Sequence, residues 1–300
     1  MTLARFRRRL AAELHYSAVS AWRGLVDLLF SDDLTYAASI SYYALLSLFP
    51  FLLLLISVVG ALTANDQERV EVLTFVFRYF PTRLDFVAEQ LDSLQGAKFQ
   101  LGLAGALSLA WASLGVFGAV TSAVNSAWGV EKQRSFLKHR LVSFLMLAAA
   151  GAAVTLALLL ASAAEVAGAS WFGQVLLRYG WIAVLQTWMA RYVTTILLIF
   201  AVGLVYYFIP NAKTRLRDVW VGAIVTGLLW RGAFSGFSWY MGRNQSLALV
   251  HGSIAAVVVF LLWVYVSAVI LMFGVEFTAS YARLRRGRSE EMPAAATPRT

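Results

Sequence analysis

The chain has 300 residues, 60% of them hydrophobic and 14% charged, with 25 Lys and Arg against 16 Asp and Glu for a net charge of +9. This balance lies outside the soluble range and inside the membrane class. There is no cysteine, which excludes disulfides, thiol chemistry and cysteine–metal sites.

In chain order, Arg5, Arg7, Arg8 and Arg9 precede an amphipathic stretch over 10–30, where Leu14, Trp22, Leu25, Val26 and Leu29 can share one helix face. That pattern predicts an interfacial cytoplasmic helix, and a cleavable signal peptide is not expected. Ser31, Asp32 and Asp33 are N-cap candidates for the first apolar helix. Six apolar stretches then predict spanning helices at 36–62, 99–128, 141–166, 187–209, 219–241 and 254–281. Each exceeds the roughly 20 residues that cross about 30 Å of hydrocarbon.

The connection 63–98 carries two amphipathic patterns separated by Pro81: Val70, Leu73, Phe77 and Phe80, then Leu84, Val87, Leu91 and Leu94. It reads as an external helical hairpin, either packed on the mouth of the bundle or docking an envelope protein partner. Residues 168–186, with Trp171 and Trp181, read as an outer-interface segment. The Pro-, Ala- and Thr-rich tail is expected to be disordered.

Basic residues fix the predicted orientation. They concentrate in the N-terminal segment, in the second connection (Lys132, Arg134, Lys138, Arg140), in the fourth (Lys213, Arg215, Arg217) and in the tail (Arg283, Arg285, Arg286, Arg288, Arg299). The first connection balances Arg69, Arg78, Arg83 and Lys98 with six acidic residues. The positive-inside rule places both termini in the cytoplasm. The expected fold is therefore all-α: a polytopic protein of six transmembrane helices plus interfacial amphipathic helices. The expected units are a basic N-terminal segment over 1–35, a membrane domain over 36–283 and a tail over 284–300. Anionic lipid headgroups at the cytoplasmic face account for the charge. No nucleic-acid partner is expected, because the basic residues lie in short turns without a recognition helix or aromatic platform.

Polar residues inside these spans are candidates for function. Ser39, Ser41, Tyr42, Tyr43 and Ser47 precede Pro50 in the first span. They serve either a kinked packing seam or a polar cavity wall. Gly115 and Gly118 in the second span, and Gly232 and Gly236 in the fifth, give small-xxx-small spacings that read first as packing. Asn125 can crosslink helices through its amide. Glu165, Arg191, Arg231 and Glu276 are ionisable at span depth or rim. Glu165 and Arg191 suggest an outer ion pair, and Glu276 a partner such as Arg283. Arg231 either snorkels or faces inward. No catalytic constellation, metal site or cofactor is expected: His15, His139 and His251 fall on both sides of the membrane, and no HExxH or serine elbow occurs.

Four stretches together resemble the YihY/virulence factor BrkB family of bacterial inner-membrane proteins. They are Ala37-Ala38-Ser39-Ile40-Ser41-Tyr42-Tyr43-Ala44-Leu45-Leu46-Ser47-Leu48-Phe49-Pro50, then Asn125-Ser126-Ala127-Trp128-Gly129-Val130 with Arg134. Tyr206-Tyr207-Phe208-Ile209-Pro210-Asn211 comes next, with Asp218 and Gly222-Ala223. Last come His251-Gly252-Ser253, Leu262-Trp263-Val264-Tyr265 and Gly274-Val275-Glu276. The resemblance covers most of 30–283 and implies a six-helix inner-membrane fold, with Pro210 as a further kink or packing position. Members were long labelled ribonuclease BN, a name that nothing in these residues resembles. Others are linked to serum resistance or to lipid precursors of the envelope. The expectation is transport or translocation of a lipid or other amphipathic envelope substrate. Ser39, Tyr42, Tyr43, Ser47, Asn125, Asn211, Arg231 and Glu276 would line a cavity for it. The alternative is an envelope-organising protein that transports nothing.

Overall fold

The computed structural model describes residues 3–62, 103–130, 195–212, 214–243 and 246–294, with scattered positions between 138 and 148. Every regular element among them is a helix. These are α1 (Leu3–Phe30), α2 (Asp33–Leu62), α3 (Leu103–Ala127), α4 (Thr195–Phe208), α5 (Leu216–Arg243) and α6 (Ser246–Ala294). The 63–98 hairpin, most of the 141–166 span, the 168–186 segment, Glu165 and Arg191 lie outside the described residues. Among the described residues, two segments are long and apolar enough to cross a membrane: α5 itself, and Val257–Arg286 within α6. At 1.5 Å per residue they measure about 42 and 45 Å, more than the hydrocarbon thickness.

The α1–α2 junction is a tight turn. Ser31 N–H donates to the Asp27 carbonyl (2.9 Å), and Tyr36 N–H to the Asp32 carbonyl (3.0 Å). Ser31 Oγ accepts from Asp33 N–H at 3.3 Å. Of the three N-cap candidates, Ser31 therefore supplies the side-chain cap. The Asp33 carboxyl is buried and turned to other work.

The end of α3 explains the Asn125–Val130 stretch. Gly129 adopts φ +66°. Its N–H donates to the Ser126 carbonyl (2.8 Å), and Val130 N–H donates to the Asn125 carbonyl (3.1 Å). This pair of bonds is a Schellman closure, which requires a left-handed residue that glycine adopts without a Cβ penalty. Pro210 comes after α4 and cannot continue it.

The core forms where α6 meets the other helices. It gathers Ala37 and Ile40 of α2, Val124 of α3, Tyr206 of α4, Val219 and Ala223 of α5, and Met272 and Val275 of α6. Here α5 and α6 run antiparallel and pack through a reciprocal Gly–Thr contact. A Cβ on Gly222 would collide with Thr278 Oγ1, and one on Gly274 with Thr226 Oγ1. Each threonine hydroxyl donates four residues back along its own helix, Thr226 to Gly222 (2.9 Å) and Thr278 to Gly274 (2.6 Å). Small residues let two backbones approach closely in this way.

In their other half α5 and α6 are held apart by rings. Trp263 lies 5.2–5.7 Å from the ring centroids of Trp230, Phe234 and Phe237. Gly232 and Gly236 point elsewhere, and a Cβ on either meets nothing within 4 Å. The expected GxxxG seam is thus not where the described helices pack. The Gly222–Thr278 and Gly274–Thr226 contacts are.

Apolar side chains also cover the outside. Ile196, Phe200, Leu204 and Phe208 stand exposed along one face of α4, and Leu216, Trp220, Ile224 and Leu228 along one face of α5. Spacing of four residues makes each a continuous apolar stripe, as hydrocarbon contact requires. On α1, Leu14, Trp22, Leu25 and Leu29 are exposed on one side, while Ser20, Gly24 and Leu28 are buried on the other. α6 continues as helix to Ala294, through the boundary placed at 283.

Candidate functional site

The polar stripe of α2 divides by environment. Ser41 Oγ donates back to the Ala37 carbonyl (3.0 Å) and is satisfied within its own helix. Ser47 Oγ donates across to the Ala112 carbonyl of α3 at 3.2 Å. Gly115 sits against this junction, where an added Cβ would come within 3.1 Å of Tyr43 and 3.2 Å of Ser47 Oγ. Gly115 is thus a packing glycine. Tyr42 and Tyr43 are 58% and 42% exposed, with ring centroids 5.7 Å apart, and Ser39 is half-buried.

Two predicted residues from distant parts of the chain meet. Asn125 Nδ2 donates to the Thr121 carbonyl (2.9 Å), and Asn125 Oδ1 accepts from Asn211 N–H (2.8 Å). The α3 amide therefore ties down the loop after Pro210. One helix over, Tyr206 is fully buried, with its hydroxyl donating to the Leu271 carbonyl (2.8 Å) and lying 2.9 Å from Thr226 Oγ1.

A belt of charged and phenolic groups surrounds the same end. Arg285 donates to Asp218 Oδ1 at 3.0 Å, and the Asp218 side chain is 3% exposed. The Tyr281 hydroxyl donates to Glu13 Oε2, linking α6 to α1. Glu276 is buried, with Arg283 3.8 Å away but 65% exposed. The Asp33 carboxyl, also buried, is close enough to Glu276 for the two to act on each other.

Arg231 stands apart. Its guanidinium donates to Thr195 Oγ1 of α4 at 2.9 Å. The neighbouring Trp230 donates its Nε1–H to Ser267 Oγ (3.1 Å), which fixes this level against α6. Ser267 and Glu276 are nine residues apart, about 14 Å along the helix. The level of Arg231 is thus about 14 Å along α6 from that of Glu276. Asn125, Asn211 and Glu276 share the α1 end of the bundle, and Arg231 sits deeper between α4 and α5.

Reasoning from the sequence missed Asp33 as a partner of Glu276, the Asp218–Arg285 pair, and the Gly222/Thr278 contact. The Gly-xxx-Thr repeat in both α5 and α6 is the one signal that pointed to the last of these. Among the described residues, no three His, Asp or Glu side chains group to hold a metal.

The family model for virulence factor BrkB matches residues 29–299. A UPF0761 membrane protein of Alteromonas mediterranea is 28% identical over 87% of this chain and 87% of its own length. Another, from Cronobacter sakazakii, is 27% identical over 90% of this chain and 93% of its own. A Bacillus subtilis protein named putative ribonuclease-like protein YfkH is 28% identical over 81% of this chain and 88% of its own. No solved structure matches significantly.

Proposed function

The chain belongs to the virulence factor BrkB family of membrane proteins, and from that premise we propose that it moves a lipid or other amphipathic envelope substrate across the bacterial inner membrane. In this reading it is a multi-pass protein of six spans, with the α1 end in the cytoplasm. The exposed face of α1 then rests on the bilayer surface, and its arginines meet anionic headgroups.

One observation carries the reading. Arg231 is kept within an apolar 28-residue helix, where its charge is bonded to a threonine of the neighbouring helix. A charge at bilayer depth costs several kcal/mol, and such residues face protein or water rather than acyl chains. A guanidinium so placed offers a paired donor for an anionic headgroup. Asn125 and Asn211 would bound the path at the α1 end, with Tyr42, Tyr43 and Ser47 along its α2 wall.

The test is lipid movement between leaflets in vesicles carrying purified protein, with a headgroup-labelled anionic lipid as probe. Arg231→Ala and Glu276→Gln are expected to slow it while the protein stays folded. Unchanged movement in both variants refutes these roles. No movement with the wild-type chain favours the non-transporting alternative, whose partner surface would be 63–98.

A further inference from the structure

The Asp33–Glu276 contact has a feature that packing does not explain. Asp33 is 2% exposed, and its Oδ2 is buried with no hydrogen-bond partner among the described residues. A second buried carboxyl, Glu276 of α6, is among the groups close enough to act on it. Two ionised carboxylates in this position offer only acceptors to each other and repel. A single proton between them converts the repulsion into a short charge-assisted bond and satisfies the orphan oxygen.

The surroundings favour that outcome. Facing the pair are Asp27 of α1, Asp32 beside Asp33 in the turn, and Arg283 of α6. One largely exposed arginine thus stands against four acids. Ser31 acts the other way, favouring the ionised Asp33 carboxyl. α1 closes one side: a Cβ on Gly24 would lie 3.0 Å from Phe277 N and 3.4 Å from the Glu276 carbonyl carbon. Burial, reinforced by Asp27 and Asp32 and opposed by Ser31, raises the Asp33 carboxyl above its ordinary range.

We propose that Asp33 and Glu276 form a proton-binding site, holding one proton between two carboxyl oxygens and thereby joining α2 to α6. The proton exchanges with bulk water at the α1 end, and no other group changes its bonding. The site is independent of the transport reading, because it concerns what the pair binds whether or not the protein moves a substrate.

The sign of its pH dependence comes from linkage. A carboxyl raised in the folded state favours folding below the ordinary carboxylate range. That contribution is lost as pH rises through the raised value. One bound proton gives at most a tenfold change in the unfolding equilibrium per pH unit.

The experiment is infrared spectroscopy of the full chain in lipid nanodiscs, together with unfolding as a function of pH. A protonated-carboxyl carbonyl band is expected at neutral pH. It should vanish or shift in Asp33→Asn and in Glu276→Gln and remain in Asp32→Asn. Unfolding of the wild type should show the pH slope, and Asp33→Asn should flatten it. Should either variant fail to fold, carboxyl-labelled aspartate or glutamate in the wild type reads the same band by its isotope shift. No band at neutral pH, or a band moved by neither label, overturns the proposal. So does stability that rises with sodium at fixed pH without a pH slope, since the pair then binds a metal cation.

Discussion

Replacing Gly274 with alanine tests whether the Gly–Thr contact holds α5 against α6. The added methyl would occupy space already taken by Thr226 Oγ1 and the Tyr206 hydroxyl. Neither can leave without loss, because Thr226 Oγ1 bonds the Gly222 carbonyl and Tyr206 bonds the Leu271 carbonyl. Rotating Thr226 about χ1 exchanges its hydroxyl for its methyl or hydrogen, and β-branching limits the choice. Overpacking of a tight contact costs about 1–3 kcal/mol. Losing an interhelical hydrogen bond in a membrane adds about 0.6 kcal/mol. The expected destabilisation is about 2–3 kcal/mol. Reversible unfolding of protein in bicelles, by denaturing detergent or steric trapping, measures it. The double variant Gly274→Ala/Thr226→Gly should recover most of the steric part. A loss below about 0.5 kcal/mol, or no recovery in the double variant, refutes the close-contact argument.

Arg285→Ala leaves Asp218 buried and uncompensated, so it should cost about 3 kcal/mol in the same assay; adding Asp218→Asn should return much of that. Asn125→Ala removes the acceptor of Asn211 N–H and should cost about 1–2 kcal/mol, with faster proteolysis after Pro210. A spin label on a cysteine at position 22 should report bilayer contact and one at position 20 should not, since Trp22 is 68% exposed and Ser20 fully buried. Equal lipid contact at both positions would contradict the interfacial placement of α1.

Local chemistry was legible from the residues, and pairing across the chain was not. The alternation of exposed and buried positions on α1 is set by its apolar spacing, because one helix face is a local property. The Asn125–Val130 stretch was recognisable as a unit, and its closure by Gly129 is likewise local. Asp33 shows the limit. Beside Ser31 and Asp32 it has the features of an N-cap, and only the position of α6 reveals that its carboxyl faces a residue 243 places further on. The glycines of α5 pose a related problem. Gly232-xxx-Gly236 and Gly222-xxx-Thr226 are equally plausible close-approach motifs. The rings of Trp230, Phe234 and Trp263 set the spacing in one half of the contact and leave the other half to Gly222. Arg231 and Glu276 were assigned one cavity because both are charges within apolar runs. Composition does not say at which level of the bundle each one sits.

The segment of α6 from Gly274 to Arg285 touches partners drawn from nearly the whole length of the chain: Glu13, Asp33, Tyr206, Asp218 and Thr226. A ribosome makes that segment after all of them. Until it emerges, the buried face of α1, the Asp33 carboxyl and the Asp218 carboxylate each lack their counterpart, however well the earlier helices have inserted. The Glu13–Tyr281 bond alone closes a loop of 268 residues. These contacts therefore form only once α6 has emerged, and a chain stalled before residue 274 would display to membrane quality control the polar groups that the fold conceals.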